Sequence, residues 1–291
     1  MEFKLLRPFP QNLLIREGYA EEIFGDKFDS TPWKVKLPRI PYEGKKRRYQ
    51  YSYSLGQHCY WAKCRFCMQQ GKLQPFMRTP RFEQLDVAPP GLVFIASPSV
   101  TACHLEEFPK LRTDDKKYMF NMRAGVQELR SLKMVTPKLH PDRFYICVGI
   151  EFPSTHMLQY LRKGISYDVS LDVLNFILEE GYNLVLLLMY NLPHMTMEDV
   201  DQADKFFKSI PLISKAALLS QPRSLNIYHD ADFEERYRGE PIIAPPLAGK
   251  DALFLLGYRP NLSEDEEKAN AAWVELLKAY RIKVYEYAYK L

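Results

Sequence analysis

Three of the five cysteines fall within nine residues, Cys59-Tyr60-Trp61-Ala62-Lys63-Cys64-Arg65-Phe66-Cys67, in a C-x4-C-x2-C pattern. Three thiolates on one loop can wrap a compact metal centre. A structural zinc site takes four ligands, usually as two separated pairs. Only one triplet is present, so zinc would need His58 or His104 as its fourth ligand. A cubane iron–sulfur cluster normally takes four cysteines. Three would leave one iron open to a substrate or cofactor, and an open coordination position marks a catalytic metal rather than a structural one. A loop of unliganded thiols is the least favoured alternative, because exposed reduced thiols are reactive. Cys103 and Cys147 stand alone, too few for a second cluster of the usual kind, and Cys147 lies inside an apolar run that should bury it. A disulfide framework would need an even, dispersed set of cysteines.

Such a loop needs a scaffold, and the chain alternates strand and helix signals. Tyr51–Leu55, Leu92–Ala96, Tyr118–Met122, Phe144–Val148, Leu184–Tyr190 and Leu225–Tyr228 read as six short strands. Apolar runs of this length suit strands buried on both faces of a parallel sheet. Between them, Ser170–Glu180 carries Leu171, Leu174, Ile177 and Leu178 on one helical face, with Gly181 as its stop. Thr196-Met197-Glu198-Asp199 and Ser263-Glu264-Asp265-Glu266 are capping boxes. The second opens a helix with Ala269, Trp273, Leu276, Leu277 and Tyr280 facing inward. Repeated β-α units imply a parallel α/β sheet, either open and doubly wound or curled into a partial barrel. In both, ligands sit at the carboxyl ends of the strands, and the cysteine loop follows the first strand.

Residues 1–49 are Pro-rich and basic with little periodicity, an irregular arm with one short helix near Gln11–Phe24. Hydrophobic residues make up 46% and charged residues 26% of the 291, which excludes a disordered or fibrous protein. No run approaches the ~20 apolar residues of a membrane span. Met1-Glu2-Phe3-Lys4 is followed by charges and prolines rather than a secretory apolar region, so a cytosolic location is expected. The net charge of +4 is a weak sign of a polyanionic partner.

The cysteine loop resembles that of the radical S-adenosylmethionine enzymes. That family uses a three-cysteine loop after the first barrel strand, commonly C-x3-C-x2-C with an aromatic residue before the last cysteine, the place Phe66 holds here. This chain has one extra residue between Cys59 and Cys64. Further likeness lies in Asn121-Met122-Arg123-Ala124, in Val148-Gly149-Ile150-Glu151-Phe152-Pro153-Ser154, in Leu158 with Leu161-Arg162-Lys163-Gly164, and in Asn191-Leu192-Pro193 with Thr196-Met197-Glu198-Asp199. The resemblance implies a partial (β/α)6 TIM-like barrel over residues 50–260, the N-terminal arm before it and a C-terminal helix/strand extension, 261–291, packed on it. It implies a [4Fe–4S] cluster on Cys59, Cys64 and Cys67, with S-adenosyl-L-methionine on the open iron. One electron, from a donor such as flavodoxin or ferredoxin, would cleave the sulfonium to a 5′-deoxyadenosyl radical that abstracts hydrogen from a substrate.

By the same resemblance, Ser97 and Ser99 occupy the region that holds the methionyl amino group, where many members carry Gly-Gly-Glu. Arg123 would fork onto the cofactor carboxylate. Glu151 and Ser154, in the turn after the fourth strand, would touch the cofactor, Glu151 at the ribose or amino group. Arg162 and Lys163 would reach the carboxylate or ribose, or merely solvate a helix end. Tyr190 and Asn191 would line the adenine pocket, Tyr190 equally suiting the core. For substrate, Lys45, Lys46, Arg47 and Arg48 run together beside Tyr49, Tyr51 and Tyr53. A basic stretch with aromatics can grip nucleic acid, although a solvated charge run is the plainer alternative. Modification of a base or nucleotide by radical rearrangement is expected first, and an amino-acid or peptide substrate second.

Overall fold

The computed structural model describes residues 4–5, 33–35, 50–55, 59–67, 82, 85, 91–217, 222–228, 231–244, 254–282 and 284. The strands are β1 (Lys4–Leu5), β2 (Trp33–Val35), β3 (Gln50–Ser54), β4 (Gly91–Val100), β5 (Lys116–Met122), β6 (Phe144–Glu151), β7 (Asn183–Tyr190), β8 (Arg223–Ser224), β9 (Arg238–Ala244) and β10 (Phe254–Pro260). The α-helices are α1 (Ala102–Glu106), α2 (Val126–Val135), α3 (Thr155–Tyr160), α4 (Tyr167–Glu179), α5 (Met197–Lys208), α6 (Ile213–Ala217) and α7 (Glu264–Ala279). The helix expected over 11–24 and the basic run Lys45–Arg48 lie outside the described residues.

Strands β3 to β8 are parallel and pair in sequence order, with β2 antiparallel on β3 at the edge. A doubly wound sheet reverses its order at a switch point. Here every strand lies beside its predecessor, so right-handed crossovers fall on one face and the sheet curls into a half-barrel. Of the two architectures the apolar runs allowed, this is the partial barrel.

Burial departs from the expectation of two covered faces. Along β5 and β7, buried residues alternate with half-buried ones. Phe120 and Phe144 point to the covered face, where Phe108 packs at 4.9 and 5.9 Å. The register sets Asn121 beside Cys147 and Cys147 beside Val185 on the other face. An incompletely closed barrel leaves that inner face partly accessible.

The helix signals are met closely. Ser166 caps α4, and Gly181 ends it at φ +84°, with Tyr182 N–H bonding Ile177 C=O at 3.0 Å and Gly181 N–H bonding Leu178 C=O at 3.3 Å. Only a residue free to turn left-handed completes this cap. Both capping boxes form, Thr196 with Asp199 and Ser263 with Glu266. Trp273 of α7 is fully buried, stacks on Phe207 at 5.8 Å and donates its indole N–H to Met189 C=O at 2.9 Å.

The sixth strand is displaced. Parallel pairing stops at Ser224, and Ile227 instead exchanges both backbone hydrogen bonds with Tyr258 of β10, at 2.9 and 2.8 Å. Gly257 permits this approach, because a methyl group there would stand 2.6 Å from the Ile227 carbonyl oxygen. The antiparallel pair β9–β10, extended by β1, is a second small sheet that the sequence patterns do not announce.

Candidate functional site

The cysteine loop lies against the turn that follows α3. Arg65 N–H bonds Leu161 C=O at 3.0 Å, and the Trp61 indole N–H bonds Arg162 C=O at 2.7 Å. The turn is tight: Arg162 and Gly164 take φ of +52° and +60°, and Leu158 C=O accepts from Lys163 N–H at 3.0 Å. On its far side the loop meets the segment before β9, where Arg65 C=O accepts from Asp232 N–H at 3.1 Å. Arg65 also lies 4.4 Å over the Tyr160 ring, and Arg162 pairs with Asp232. Cys64 is buried, while Cys59 and Cys67 are half-buried.

A charged group gathers beside Cys64 from two strand ends and from the turn after α3. Arg123, just past β5, stacks over Trp61 at 4.6 Å and Tyr60 at 5.5 Å and donates to Lys163 C=O. Glu151, the last residue of β6, accepts from Lys163 Nζ at 3.1 Å, and the two side chains are 12% and 8% exposed. Glu151 holds φ +65° where the β6–β7 register slips, a conformation that costs a non-glycine residue roughly 1–3 kcal/mol. Gly149 makes room for the pair, since a methyl group there would stand 2.9 Å from Glu151 Oε1 and 3.4 Å from Lys163 Nζ. Phe66 faces the same ammonium at 5.4 Å.

The electrostatics follow from this packing. Burial pushes the Cys64 thiol above its ordinary pKa; the Lys163 and Arg123 cations pull it back, while Glu151 and Cys59 add to the rise. Burial alone would lower Lys163, but the Glu151 carboxylate and Cys64 outweigh it and hold the ammonium above its ordinary value. Tyr60 is raised by burial and then by its 2.5 Å hydrogen bond to Glu128.

The structure therefore brings Cys59, Cys64, Phe66, Arg123, Glu151 and Lys163 together, with Cys67 closing the loop through its N–H to Cys64 C=O at 3.0 Å. The other expected residues bond elsewhere. Ser97 and Ser99 sit in a bulge of β4, where Ser97 Oγ donates to Ser99 C=O at 3.0 Å and Asn121 donates to Ser97 C=O at 3.1 Å. Ser154 is fully buried at the start of α3, accepting from Met157 N–H at 3.1 Å and donating to Asp199 at 2.6 Å. Asn191, at φ +58°, donates to Ser224 at 2.9 Å, and Tyr190 is buried. Sequence reasoning missed Tyr60, Trp61 and Glu128. The available signal was two adjacent aromatics inside the cysteine spacing.

The donor chemistry of the loop fits an iron–sulfur cluster: three thiols within nine residues, and two cations beside the buried one to offset thiolate charge. Among the described residues, no group of three or more His, Cys, Asp or Glu side chains is arranged to hold a single metal ion.

No protein-family model and no curated protein matches the sequence. Solved structures do match in fold. A radical S-adenosylmethionine methyltransferase, TsrM, from Kitasatospora setae, with cobalamin and a [4Fe–4S] cluster bound, aligns with a TM-score of 0.55 at 11% identity, over 77% of this chain and 52% of that one. The cobalamin-dependent S-adenosylmethionine radical enzyme OxsB, with aqua-cobalamin and S-adenosylmethionine bound, aligns with a TM-score of 0.50 at 14% identity, over 62% of this chain and 34% of that one. The aligned parts thus span about half of TsrM and a third of OxsB. The chain has the fold of radical S-adenosylmethionine enzymes. Among the described residues, no helix is long and apolar enough to cross a membrane.

Proposed function

We propose that the protein is a radical S-adenosylmethionine enzyme. The observation that carries this is the three-cysteine loop, set beside Arg123, Lys163 and Glu151 at the carboxyl ends of an in-order parallel half-barrel. Cys59, Cys64 and Cys67 would hold a [4Fe–4S] cluster. Loaded with S-adenosylmethionine, such a cluster would supply one-electron reductive cleavage of the sulfonium, the source of a 5′-deoxyadenosyl radical. The chain's own residues bind and orient. Arg123 and Lys163 offer cationic donors to the cofactor carboxylate, and Glu151 offers an acceptor to its amino group or ribose. The Trp61 and Tyr60 rings lie against the Arg123 guanidinium and the Phe66 ring against the Lys163 ammonium, so aromatic faces flank the two cations.

The substrate we assign is a base or nucleotide, on the ground of the Lys45–Arg48 run and its neighbouring tyrosines. The electron donor is then a flavodoxin- or ferredoxin-like protein. Anaerobic reconstitution tests the class: iron and sulfide should load, and dithionite should yield 5′-deoxyadenosine from S-adenosylmethionine. Cys59→Ala, Cys64→Ala and Cys67→Ala should each lose both properties, whereas Cys103→Ala and Cys147→Ala keep them. A colourless protein with stoichiometric zinc refutes the class. Oligonucleotide binding across a salt series, wild type against a variant neutralised at all four basic residues, tests the substrate. No binding at low salt moves an amino acid or peptide to first place.

A further inference from the structure

The extra residue between Cys59 and Cys64 has a structural counterpart. Ala62 takes φ +45°, a left-handed turn that costs a non-glycine residue roughly 1–2 kcal/mol, so something must hold it. The residue before it is fixed on three sides. Trp61 donates its indole N–H to Arg162 C=O at 2.7 Å. Arg123 stacks on its ring at 4.6 Å while donating to the next carbonyl, Lys163 C=O. The ring itself fills the gap left by a missing side chain. A methyl group at Gly164 would fall inside the indole, 2.5 Å from Cε2 and nearer still to Cζ2 and Cη2.

We propose that Trp61 is a positioning residue: its indole, keyed into the gap at Gly164, sets the longer cysteine loop in register with the turn that carries Lys163. The proposal rests on the radical S-adenosylmethionine reading above. The turn presents Lys163 between two left-handed residues, Arg162 and Gly164, and the ammonium of Lys163 reaches Glu151. The loop presents Cys64 three residues after the key. One indole therefore fixes the distance between the buried thiol and the Lys163–Glu151 pair. The surplus residue is absorbed at Ala62, between key and thiol, so both ends of that left-handed bend are pinned. Arg65 N–H on Leu161 C=O is the second tie of loop to turn.

Glycine at 164 has two separable properties, its positive φ and its missing Cβ. Gly164→Asn separates them, because asparagine tolerates left-handed backbone but fills the gap. After anaerobic reconstitution, Gly164→Asn and Trp61→Ala should each hold the cluster about 10-fold less firmly than wild type, the loss typical of removing a residue that orients a metal ligand. Circular dichroism should report the same fold. In the Trp61→Ala background, Gly164→Asn should cause no further loss of iron, because the ring it would strike is gone and asparagine tolerates the left-handed backbone. Trp61→Phe keeps a ring in the gap and should recover most of the iron. Its spectrum, subtracted from that of wild type, gives the Trp61 fluorescence, which acrylamide should quench more readily in Gly164→Asn even without iron. The electron paramagnetic resonance line of the reduced cluster should also change in Gly164→Asn. Wild type that takes up no iron overturns the proposal and the functional reading together. Iron-loaded wild type, with Gly164→Asn retaining full iron and unchanged quenching, overturns the proposal alone, as do additive losses in the double variant.

Discussion

The Lys163–Glu151 pair offers the sharpest energetic test. The two groups are 3.1 Å apart and almost wholly out of water. At an effective dielectric of ~20, charges at that distance attract by about 5 kcal/mol. Lys163→Met removes the cation and leaves the buried Glu151 carboxylate without its hydrogen-bonded partner. Breaking a buried pair from one side costs about 3–5 kcal/mol. With a urea slope of roughly 3 kcal/mol per molar, the unfolding midpoint should fall by about 1–1.7 M. Lys163→Met combined with Glu151→Gln should regain most of that loss, since an uncharged pair of similar volume is close to neutral. The pH dependence has a definite sign. The Lys163 pKa is raised above the unfolded value of about 10.4, so its contribution is complete below that pH and fades as pH rises through the folded value. The gap between wild type and Lys163→Met should therefore hold constant from about pH 6 to pH 9 as far as Lys163 decides it. Urea denaturation followed by circular dichroism measures all of this. A Lys163→Met midpoint within error of wild type would refute a buried, stabilising pair.

Gly149→Ala should disturb the same pair without removing either charge, because its methyl group would stand 2.9 Å from Glu151 Oε1; a loss of about 1–3 kcal/mol in the same assay is expected. Asn270→Ala should cost about 2–4 kcal/mol, because buried Asn270 accepts from Leu192 N–H at 2.8 Å and donates to Leu192 C=O at 3.0 Å. Cys147 should resist iodoacetamide in the native state, since burial pushes its thiol up to about 12 and leaves roughly one part in ten thousand as thiolate at pH 8. Exposed Cys103 should react, and mass spectrometry of the native alkylated protein separates the two. Burial pushes the Glu266 carboxyl up, but hydrogen bonds from Ser263, His194 and Tyr237 outweigh it and hold the pKa low. Its contribution is thus present above about pH 4.3 and lost as pH falls through the lowered value, so Glu266→Gln should flatten the acid limb of a stability profile.

Local signals carried most of the fold. The Thr196 and Ser263 boxes, the Gly181 stop and five of six strands are decided by residues adjacent in sequence, and there the pattern and the structure agree. Barrel against open sheet was not legible, because strand order is a property of pairing between distant segments. The displaced sixth strand failed for a related reason: Ile227 is apolar and strand-like, but its partner is Tyr258 of β10 rather than β7. Prolines at 241, 245, 246 and 260 hid the β9–β10 pair behind turn-like composition. In the site, residue types at strand ends were readable, and Arg123, Glu151 and Lys163 converge beside Cys64. What each side chain does with its hydrogen bonds was not. Ser154 illustrates this: its turn is recognisable in sequence, yet its hydroxyl bonds Asp199, 45 residues away.

The left-handed residues around the site, Ala62, Glu151 and Arg162, can be separated by selection rather than by structure. Glycine would relieve roughly 1–2 kcal/mol of backbone cost at each. At Ala62 nothing else is lost, so a library screened for abundance and one screened for activity should both accept glycine. At Glu151 both should reject it, since Lys163 would be left buried without its carboxylate. Arg162 forms only a half-exposed pair with Asp232, worth ~0–1 kcal/mol, so abundance alone favours glycine there. If the guanidinium touches the cofactor, activity will insist on arginine at the position where abundance discards it. Such a disagreement between two screens would mark a ligand contact before any ligand had been identified.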